Sequence, residues 1–499
     1  MKTRIPLLLL LVLFPFSLRA QLPPPNIIVI VSDDAGYGDF SVQGSRQFHT
    51  PHIDHLANGG IRFLQGYVTA SVCSPSRAAL LTGRYQQRFG HEDNIGGHQP
   101  GDCPDYIGMR TDQITVADVL KTLGYHTGAI GKWHLGSLDK YHPLNRGFDE
   151  FFGFRGGSAH YFGQGKKYFN IERQKDTVRV PVDYLTDAFG NEACRFIVRH
   201  HDHPFFLYLA FNAVHTPMEA REEDLAPFSY IEDRQRRILG GMTMALDRAV
   251  GNVLRTLQEY NLTGNTMVWF INDNGGNVGL NGSCNAPLNG KKGTFLEGGI
   301  RVPFFVRWPA GLPRHVTYDE PVSSMDIFVT SVAAAGGDAQ QLVDSLARTR
   351  HPQEWARIHR RKRPAAGEGW QLDGVNLLPY LRGRKTGSPH PRLCWRRTAT
   401  AAIRDGDWKL IRLPDRPPLL FNLHDDPSEQ HNRFWEEKER AEQLMKALFE
   451  WEKQLARPAW RTDPFWIQYN IRLYDKKYDL TQPPPPPGED NRTEKVRVK

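Results

Sequence analysis

Cysteine and long apolar runs are both scarce in this chain of 499 residues. The five cysteines are widely spaced, which does not resemble a zinc site, and their odd number leaves at least one unpaired. After an N-terminal run, no stretch reaches the roughly 20 apolar residues of a bilayer-spanning helix, so we expect no transmembrane segment. The sequence leaves open which of the last four cysteines pair, if any. The cysteines are Cys73, Cys103, Cys194, Cys284 and Cys394.

An internal repeat and a concentrated basic face are absent as well. The formal charge is +8, but the clearest basic cluster, Arg357 to Arg363, is typical of a solvated loop in an insertion. A nucleic-acid partner is therefore not expected, because such proteins concentrate basic residues on one face. A hydrophobic content of 40% and a mean hydropathy of -0.51 indicate a globular protein. Its length predicts one large and one smaller domain.

The first 20 residues have the pattern of an export signal. Lys2 and Arg4 precede the apolar run Leu7 to Leu13, and the small residue Ala20 ends the segment. We expect a signal peptide over 1–20 and a periplasmic or secreted protein, lysosomal or extracellular if eukaryotic. A buried N-terminal helix is the alternative. Cleavage would lower the formal charge from +8 to +5, an excess that can attract an anionic substrate.

Strand and helix patterns alternate over most of the chain. The continuous β-branched run from Asn26 to Val31 predicts a strand that is buried on both faces. The alternation predicts an α/β fold with a large doubly wound sheet flanked by helices. Further strands are predicted at 127–130, 204–209, 267–271 and 303–306, and helices at 115–124, 186–200 and 238–260.

The pattern changes after about residue 338. The segment 338–370 is charged and predicts irregular structure, whereas short alternating stretches farther on predict a small antiparallel sheet. A helix is predicted over 433–455, and the proline-rich tail from Pro483 predicts disorder. We therefore expect a large α/β domain over 21–375, an antiparallel-sheet-plus-helix subdomain over 376–480 and a disordered tail over 481–499.

Polar clusters follow three of the predicted strands. They are Asp33-Asp34, the segment 212–215 that ends at His215, and Asn272-Asp273-Asn274. Each cluster alone is explained as a turn, since Asp and Asn favour turns. The three together indicate one active site, because open α/β sheets bind ligands at the carboxyl ends of their strands.

One segment resembles a known signature. Residues 73–77, Cys-Ser-Pro-Ser-Arg, are similar to the Cys-x-Pro-x-Arg motif of type I, formylglycine-dependent sulfatases, and 78–84 continue as in that family. The resemblance runs from Asn26 to about Gln430 and implies an arylsulfatase-like member of the alkaline phosphatase superfamily. It also implies that 21–375 is the catalytic domain. The other matching segments are 131–136, 212–217 and 292–299.

The residues of this segment also suit sulfate-ester hydrolysis on chemical grounds. Cys73 is predicted at a helix start, where free N–H groups stabilise anions, and Arg77 follows four residues later on the same face. Arg77 is therefore predicted to reach back and orient the nucleophile. The alternative for Cys73 is an inert buried cysteine. In the resembling family, an activating enzyme oxidises this cysteine to formylglycine, whose hydrate is the nucleophile.

The resemblance implies roles for the remaining motif residues. Lys132 would bind sulfate, and His134 would contact the formylglycine and remove its proton. His215 and Lys292 would bind the leaving side of the ester, with His215 as general acid; Lys292 is chosen over Lys291 because it directly precedes the Gly-Thr pair. One Ca²⁺ ion, a hard cation suited to oxygen ligands, would be bound. The implied metal ligands are Asp33, Asp34, Cys73, Asp273 and Asn274.

The expected substrate is a sulfated carbohydrate, with an aryl sulfate as a second possibility. Four residues are candidate sugar contacts by position alone: His98, Arg155, His160 and Arg301. The alternative, that they are ordinary loop residues without a role in binding, is at least as well supported. The expected protein partner is a formylglycine-generating or anaerobic sulfatase-maturating enzyme. The alternative functions are a phosphate or phosphonate ester hydrolase of the same superfamily and a non-catalytic glycan-binding relative.

Overall fold

A computed structural model describes residues 23–96, 103–163, 171–177, 182–360, 365–478 and 480. The predicted signal peptide, the predicted disordered tail and His98 lie outside these residues. No helix in the described ranges is long and apolar enough to cross a membrane. All five cysteines are within the described ranges, and each is a free thiol.

A large mixed sheet forms the centre of the molecule. The first twelve strands within the described residues are β1 (Asn26–Ser32), β2 (Ile61–Phe63), β3 (Gly66–Tyr67), β4 (His126–Lys132), β5 (Glu150–Phe154), β6 (Glu172–Arg173), β7 (Asp176–Thr177), β8 (Phe205–Ala210), β9 (Thr266–Asn272), β10 (Phe304–Arg307), β11 (Val316–Tyr318) and β12 (Val322–Ser323). Ten of them form the large sheet in the order β11-β2-β10-β9-β1-β8-β4-β5-β6-β7, and β3 pairs with β12 separately.

The central strand β1 shows why its sequence is apolar throughout. Every residue of β1 is buried, and the strand runs parallel to both β8 and β9. Val29 and Val31 pack in one hydrophobic core, whereas Ile28 and Ile30 pack in a second core on the other face. The predicted sheet covered on both faces is therefore confirmed.

Helices cover both faces of the large sheet. Within the described residues, the helices are α1 (Pro51–Asn58), α2 (Cys73–Thr82), α3 (Val116–Thr122), α4 (Leu185–Arg199), α5 (Glu222–Leu225), α6 (Arg234–Glu259), α7 (Glu297–Ile300), α8 (Asp326–Ala334), α9 (Ala339–Arg350), α10 (Pro352–His359), α11 (Leu378–Leu381), α12 (Lys438–Glu452) and α13 (Pro464–Tyr478). The first core includes side chains of α2, α3, α8 and α9, and the second includes those of α1, α4 and α6.

A separate antiparallel sheet follows, as the sequence predicted. Its consecutive strands are β13 (Arg392–Arg397), β14 (Thr400–Asp405), β15 (Trp408–Arg412) and β16 (Leu419–Asn422). Leu410 and Leu420 pack with Leu444 and Leu448 of α12, whereas Trp395 belongs to the first core of the large sheet. The small sheet is therefore joined to the large one by a common core. The predicted domain boundaries stay a prediction.

The prediction of irregular structure over 338–370 was wrong for its first part, which forms α9 and α10. The Asp338 side chain accepts a hydrogen bond from the Gln341 amide and caps α9. Val343 and Ala347, four residues apart, are buried in the first core. The high charge of this segment masked that short apolar stripe. The helix α13 had no sequence prediction at all.

Candidate active site

Three parallel strands bring the polar clusters to one edge of the large sheet. The Asp33 amide donates a hydrogen bond to the Ala213 carbonyl oxygen at 2.9 Å. On the other side of β1, the Asp273 amide donates to the Ser32 carbonyl oxygen at 3.1 Å. The strand ends of β1, β8 and β9 therefore meet, which is where the sequence predicted a site.

The helix α2 begins at this edge with Cys73, which is buried. The Ser74 amide donates to Asn94 Oδ1 at 2.9 Å. Ser74 Oγ lies 2.6 Å from His91 Nε2 and donates to the His134 carbonyl oxygen at 2.6 Å. These bonds fix the helix start against two neighbouring segments and direct its N-terminus, which favours anions, into the site.

The thiol of Cys73 lies among charged side chains. Its Sγ atom is 3.5 Å from Asp33 Oδ1 and 3.9 Å from Asp34 Oδ1. Lys292 Nζ is 3.3 Å from the same sulfur. Burial, together with the negative charge of Asp273, raises the pKa of the Cys73 thiol well above its ordinary value. The unmodified cysteine is therefore protonated at neutral pH and is a poor nucleophile.

Arg77 is fully buried beneath the site. Its Nε and Nη2 atoms donate to Asp273 Oδ2 at 2.9 and 2.7 Å, and Nη1 donates to the Lys132 carbonyl oxygen at 3.1 Å. It also lies 3.6 Å from Asp33. The sequence predicted that Arg77 reaches back to the nucleophile, but these contacts orient Asp273 and the end of β4.

Two lysines neutralise the paired aspartates. Lys132 Nζ donates to Asp33 Oδ2 at 2.5 Å, and Lys292 Nζ donates to Asp34 at 2.7 Å. Burial alone would raise the pKa of Asp34, but Lys292 and other neighbouring cations hold it well below its usual range. Lys291, the lysine not chosen from the sequence, instead donates to the Val278 carbonyl oxygen.

The two predicted catalytic histidines are neutral in the substrate-free protein. Burial and then Lys132 hold the pKa of His134 well below its ordinary value. Its Nε2 lies 3.0 Å from the Ile95 carbonyl oxygen, and its buried Nδ1 has no hydrogen-bond partner in the described part of the chain. A neutral ring that donates through Nε2 carries its lone pair on Nδ1, so His134 can accept a proton there.

His215 lies on the other side of the aspartates. Its Nε2 is 3.6 Å from Asp34 Oδ2, and its Nδ1 is 2.5 Å from the Thr216 carbonyl oxygen. Burial and then Lys292 lower the pKa of His215 to about 3. A general-acid role therefore requires that the negative charge of a bound substrate raises this pKa first.

Side-chain atoms that could bind a cation are collected at the same place. Asp33, Asp34, Cys73 and His215 each place a possible ligand atom within 4.8 Å of the others. Within the described ranges, the buried atoms Asp273 Oδ1 and Asn274 Oδ1 have no hydrogen-bond partner. Buried polar atoms normally have partners, so these two oxygens fit the ligand shell of a hard cation.

Backbone strain marks two of these residues. Asp34 has φ of 60° and His134 has φ of 57°, in the left-handed region that residues other than glycine rarely adopt. Such conformations cost of order 1–3 kcal/mol and persist where the surrounding structure enforces them, as it does at functional sites.

The predicted sugar contacts are mostly engaged in other interactions. Arg155 Nε donates to Glu172 Oε1 at 2.9 Å, and His160 Nδ1 is 2.7 Å from Glu219 Oε1. Arg301 donates to the Leu64 carbonyl oxygen at 2.7 Å. Their role toward a substrate stays a prediction, and His98 is outside the described residues.

Sequence reasoning missed several residues that support the site. His91 contacts the helix start through Ser74. In the sequence, only the run of polar residues His-Glu-Asp before Asn94 could have indicated it, because no family motif was recognised there. Lys409 lies 2.8 Å from both Glu297 and Glu429, and all three are fully buried. This network joins the segment after Lys292 to the small sheet. Only the fold brings together residues so distant in sequence.

Comparison with known proteins shows the family of the chain. A sequence model of the Sulfatase family matches residues 25–337. N-acetylgalactosamine-6-sulfatase of Sus scrofa is 35% identical over 409 residues, 78% of this chain and 72% of that protein. Arylsulfatase A of Bos taurus is 31% identical over 466 residues, 83% of this chain and 84% of that protein.

Solved structures give the same result. Ps i-CgsB in complex with k-i-k-neocarrahexaose has a TM-score of 0.77 at 34% identity and covers 92% of this chain and 99% of that chain. The fold and these relatives define a hydrolase of the alkaline phosphatase superfamily. The chain belongs to the Sulfatase family, whose members are sulfuric ester hydrolases. The predicted family, fold class and enzyme class are confirmed.

Proposed function

We propose that this protein hydrolyses sulfate esters of a carbohydrate, with residue 73 converted to formylglycine and one calcium ion bound beside it. The observation that carries the proposal is the environment of Cys73. The residue begins a helix, in the Cys-x-Pro-x-Arg segment 73–77, and its sulfur lies between Asp33, Asp34 and Lys292. Charged side chains collected around the cysteine of this motif favour a chemically converted residue over an inert buried thiol.

Conversion supplies the chemistry that the thiol lacks. A hydrated aldehyde at residue 73 offers a hydroxyl nucleophile and releases sulfate by returning to the aldehyde. The proposed partner is a formylglycine-generating or anaerobic sulfatase-maturating enzyme. Calcium, held by Asp33, Asp34, residue 73, Asp273 and Asn274, would neutralise sulfate charge and help ionise the hydroxyl.

Side chains of the protein bind the sulfate group, transfer protons and position the other groups of the site. Lys132 and Lys292 present positive charge to the sulfuryl oxygens, where charge develops during the reaction. When sulfate is released and the aldehyde re-forms, His134 accepts the proton of the remaining hydroxyl group of residue 73 at its Nδ1 atom. His215 takes up a proton when the anionic substrate binds and donates it to the leaving alkoxide. Arg77 is a positioning residue, because it holds Asp273 and the carbonyl of Lys132.

A carbohydrate is the favoured substrate class. The similar proteins include an N-acetylgalactosamine-6-sulfatase and a structure in complex with a neocarrahexaose. An aryl sulfate is the second class, since Arylsulfatase A is also similar. We further propose export through residues 1–20 to the periplasm or cell exterior, where sulfated glycans are accessible.

The test uses protein co-expressed with a maturating enzyme. Sulfate release is measured from sulfated oligosaccharides and 4-nitrophenyl sulfate, and hydrolysis of 4-nitrophenyl phenylphosphonate is measured in parallel. We expect sulfate release to exceed phosphonate hydrolysis and the Cys73→Ala variant to lose both. A higher kcat/KM for the phosphonate, or turnover by Cys73→Ala, would reject the proposal. Circular dichroism of the variant checks that the fold is intact.

A further inference from the structure

The helix α13 carries three aromatic side chains near the site that the site itself does not use. Phe465 is 64% exposed and Trp466 is 42% exposed, and Tyr469 is half-buried beside them. We propose that these three residues, the aromatic platform, bind a sugar ring of an extended sulfated glycan next to the unit that is desulfated. This inference rests on the proposed function and specifies its substrate as an oligosaccharide.

The residues around α13 contact both loops that border Cys73. Just before the helix, Thr462 Oγ1 donates to Asp93 Oδ2 at 2.6 Å, and the adjacent Asn94 holds the amide of Ser74. A Cβ atom built on Gly293, the residue after Lys292, would lie 2.7 Å from Asn470 Oδ1. The first turns of α13 therefore lie at the rim of the site.

The inner face of the same helix is anchored to the segment that carries Lys292. The Phe295 amide donates to the hydroxyl oxygen of the buried Tyr474 at 2.6 Å. One turn later, Tyr478 donates to the Glu429 carbonyl oxygen and accepts from Asn289, both at 2.8 Å. Residues four apart share a helix face, so Trp466 lies on the stripe of Asn470, Tyr474 and Tyr478, but at its solvent end.

The platform has the form of a binding surface. The ring centroids of Phe465 and Trp466 are 5.1 Å apart, and those of Trp466 and Tyr469 are 5.9 Å apart. Clustered exposed aromatic rings mark interaction sites, because single exposed apolar residues are common but contiguous ones are not. Aromatic rings offer a flat apolar face with a polar edge, which suits the C–H face and hydroxyl groups of a pyranose.

Charge beside the platform favours an anionic glycan over an apolar partner. Lys291 Nζ is 3.5 Å from the Tyr469 hydroxyl group and 5.9 Å from the centroid of its ring. Lys291 is the neighbour of Lys292 but turns away from Cys73 toward α13. A cation at this position can bind a second sulfate group while the aromatic rings bind the sugar.

The test compares Trp466→Ala with a matched control, Trp435→Ala. Trp435 is 45% exposed, and its aromatic and cationic neighbours are Phe434 and Lys438. Binding is measured by isothermal titration with a sulfated neocarrahexaose and a chondroitin sulfate hexasaccharide. The measurement uses protein carrying Cys73→Ala, so it does not depend on turnover or maturation. We expect roughly tenfold weaker binding for Trp466→Ala, the loss of one well-packed contact, and no change for Trp435→Ala.

Kinetics separate this inference from the proposed function. In matured protein, Trp466→Ala should lower kcat/KM roughly tenfold for a hexasaccharide that is turned over and less than about twofold for 4-nitrophenyl sulfate. Absence of turnover with weakened binding would reject the catalytic proposal but support the platform. The inference is overturned if the Cys73→Ala protein binds neither hexasaccharide, or if adding either Trp466→Ala or Phe465→Ala to it leaves the affinity for both unchanged. A dimer that Trp466→Ala dissociates would also overturn it, since a second copy would then cover the rings.

Discussion

Arg77 shows how one buried side chain connects the motif helix to the rest of the site. Its guanidinium group binds Asp273 through two N–H groups and the Lys132 carbonyl through a third. Arg77 and Cys73 lie four positions apart in the helix α2, as the sequence predicted, whereas a role of Arg77 in orienting the nucleophile stays a prediction. Its partners could not be predicted, because Asp273 is almost 200 residues away in sequence.

Replacing Arg77 by lysine should therefore reduce both activity and stability. Lysine keeps the charge but cannot make three N–H contacts in one plane. We expect a loss of about 3 kcal/mol in the free energy of unfolding and at least a roughly 100-fold loss in kcat. Urea unfolding and sulfate release measure the two quantities.

Arg88→Lys is the matched control for this change. Arg88 binds Asp373 through two N–H groups in the same way, but its side chain is 18% exposed. We expect lower stability with wild-type kcat per folded molecule. Equal losses of kcat in the two variants would mean that Arg77 acts only through stability.

At the scale of elements, the short helix α7 is joined to the small sheet by a buried charge network. Lys409 of β15 lies 2.8 Å from Glu297 of α7 and from Glu429. The Glu297 amide also donates to Glu429 Oε2 at 2.6 Å. Burial, with Glu297 nearby, raises the pKa of Glu429 to about 7 despite Lys409. The lysine is thus the main counter-charge for two buried carboxyl groups.

The variant Lys409→Met should be strongly destabilised. It removes the nearest cation of both Glu297 and Glu429 and leaves the more distant Arg301, 3.6 Å from Glu297, and breaking such a buried pair costs about 3–5 kcal/mol. Lys453→Met is the control, because Lys453 pairs with Glu450 where both side chains are more than half exposed. The control should lose less than about 0.5 kcal/mol. Similar urea midpoints for the two variants would contradict a structural role for the network.

At the scale of the whole molecule, the alternation of strands and helices predicted the main sheet and its covered faces. The pattern succeeded because β1 and β8 are buried throughout, which demands apolar sequence. It failed for α13, whose buried side chains Ile471 and Tyr474 are few and lie among polar residues. A helix that packs on the surface of a domain through few buried side chains has only a weak apolar stripe in its sequence. Its position is therefore determined by tertiary contacts, which the sequence pattern does not show.

Calcium should stabilise the folded protein as a whole. The oxygens Asp273 Oδ1 and Asn274 Oδ1 lack hydrogen-bond partners within the described ranges and are expected to gain a ligand. A ligand at 100 times its Kd adds about 2.7 kcal/mol to the free energy of unfolding. Adding calcium to chelator-treated, dialysed protein should therefore raise Tm.

Asn274→Ala is the control for the calcium response, because it removes one proposed ligand oxygen. The rise in Tm should be smaller in this variant, and sulfate release by the matured wild type should recover with calcium. A wild-type Tm that calcium leaves unchanged would contradict the metal assignment, whatever the activity.

The conversion of Cys73 is tested by the mass of the tryptic peptide that contains residue 73, measured beside specific activity. Samples made with and without a maturating enzyme give different fractions of converted residue. We predict that the mass shift from thiol to aldehyde appears on Cys73 and that sulfate release rises in proportion to the converted fraction. Full activity in a sample whose Cys73 is wholly unmodified would exclude formylglycine as the nucleophile.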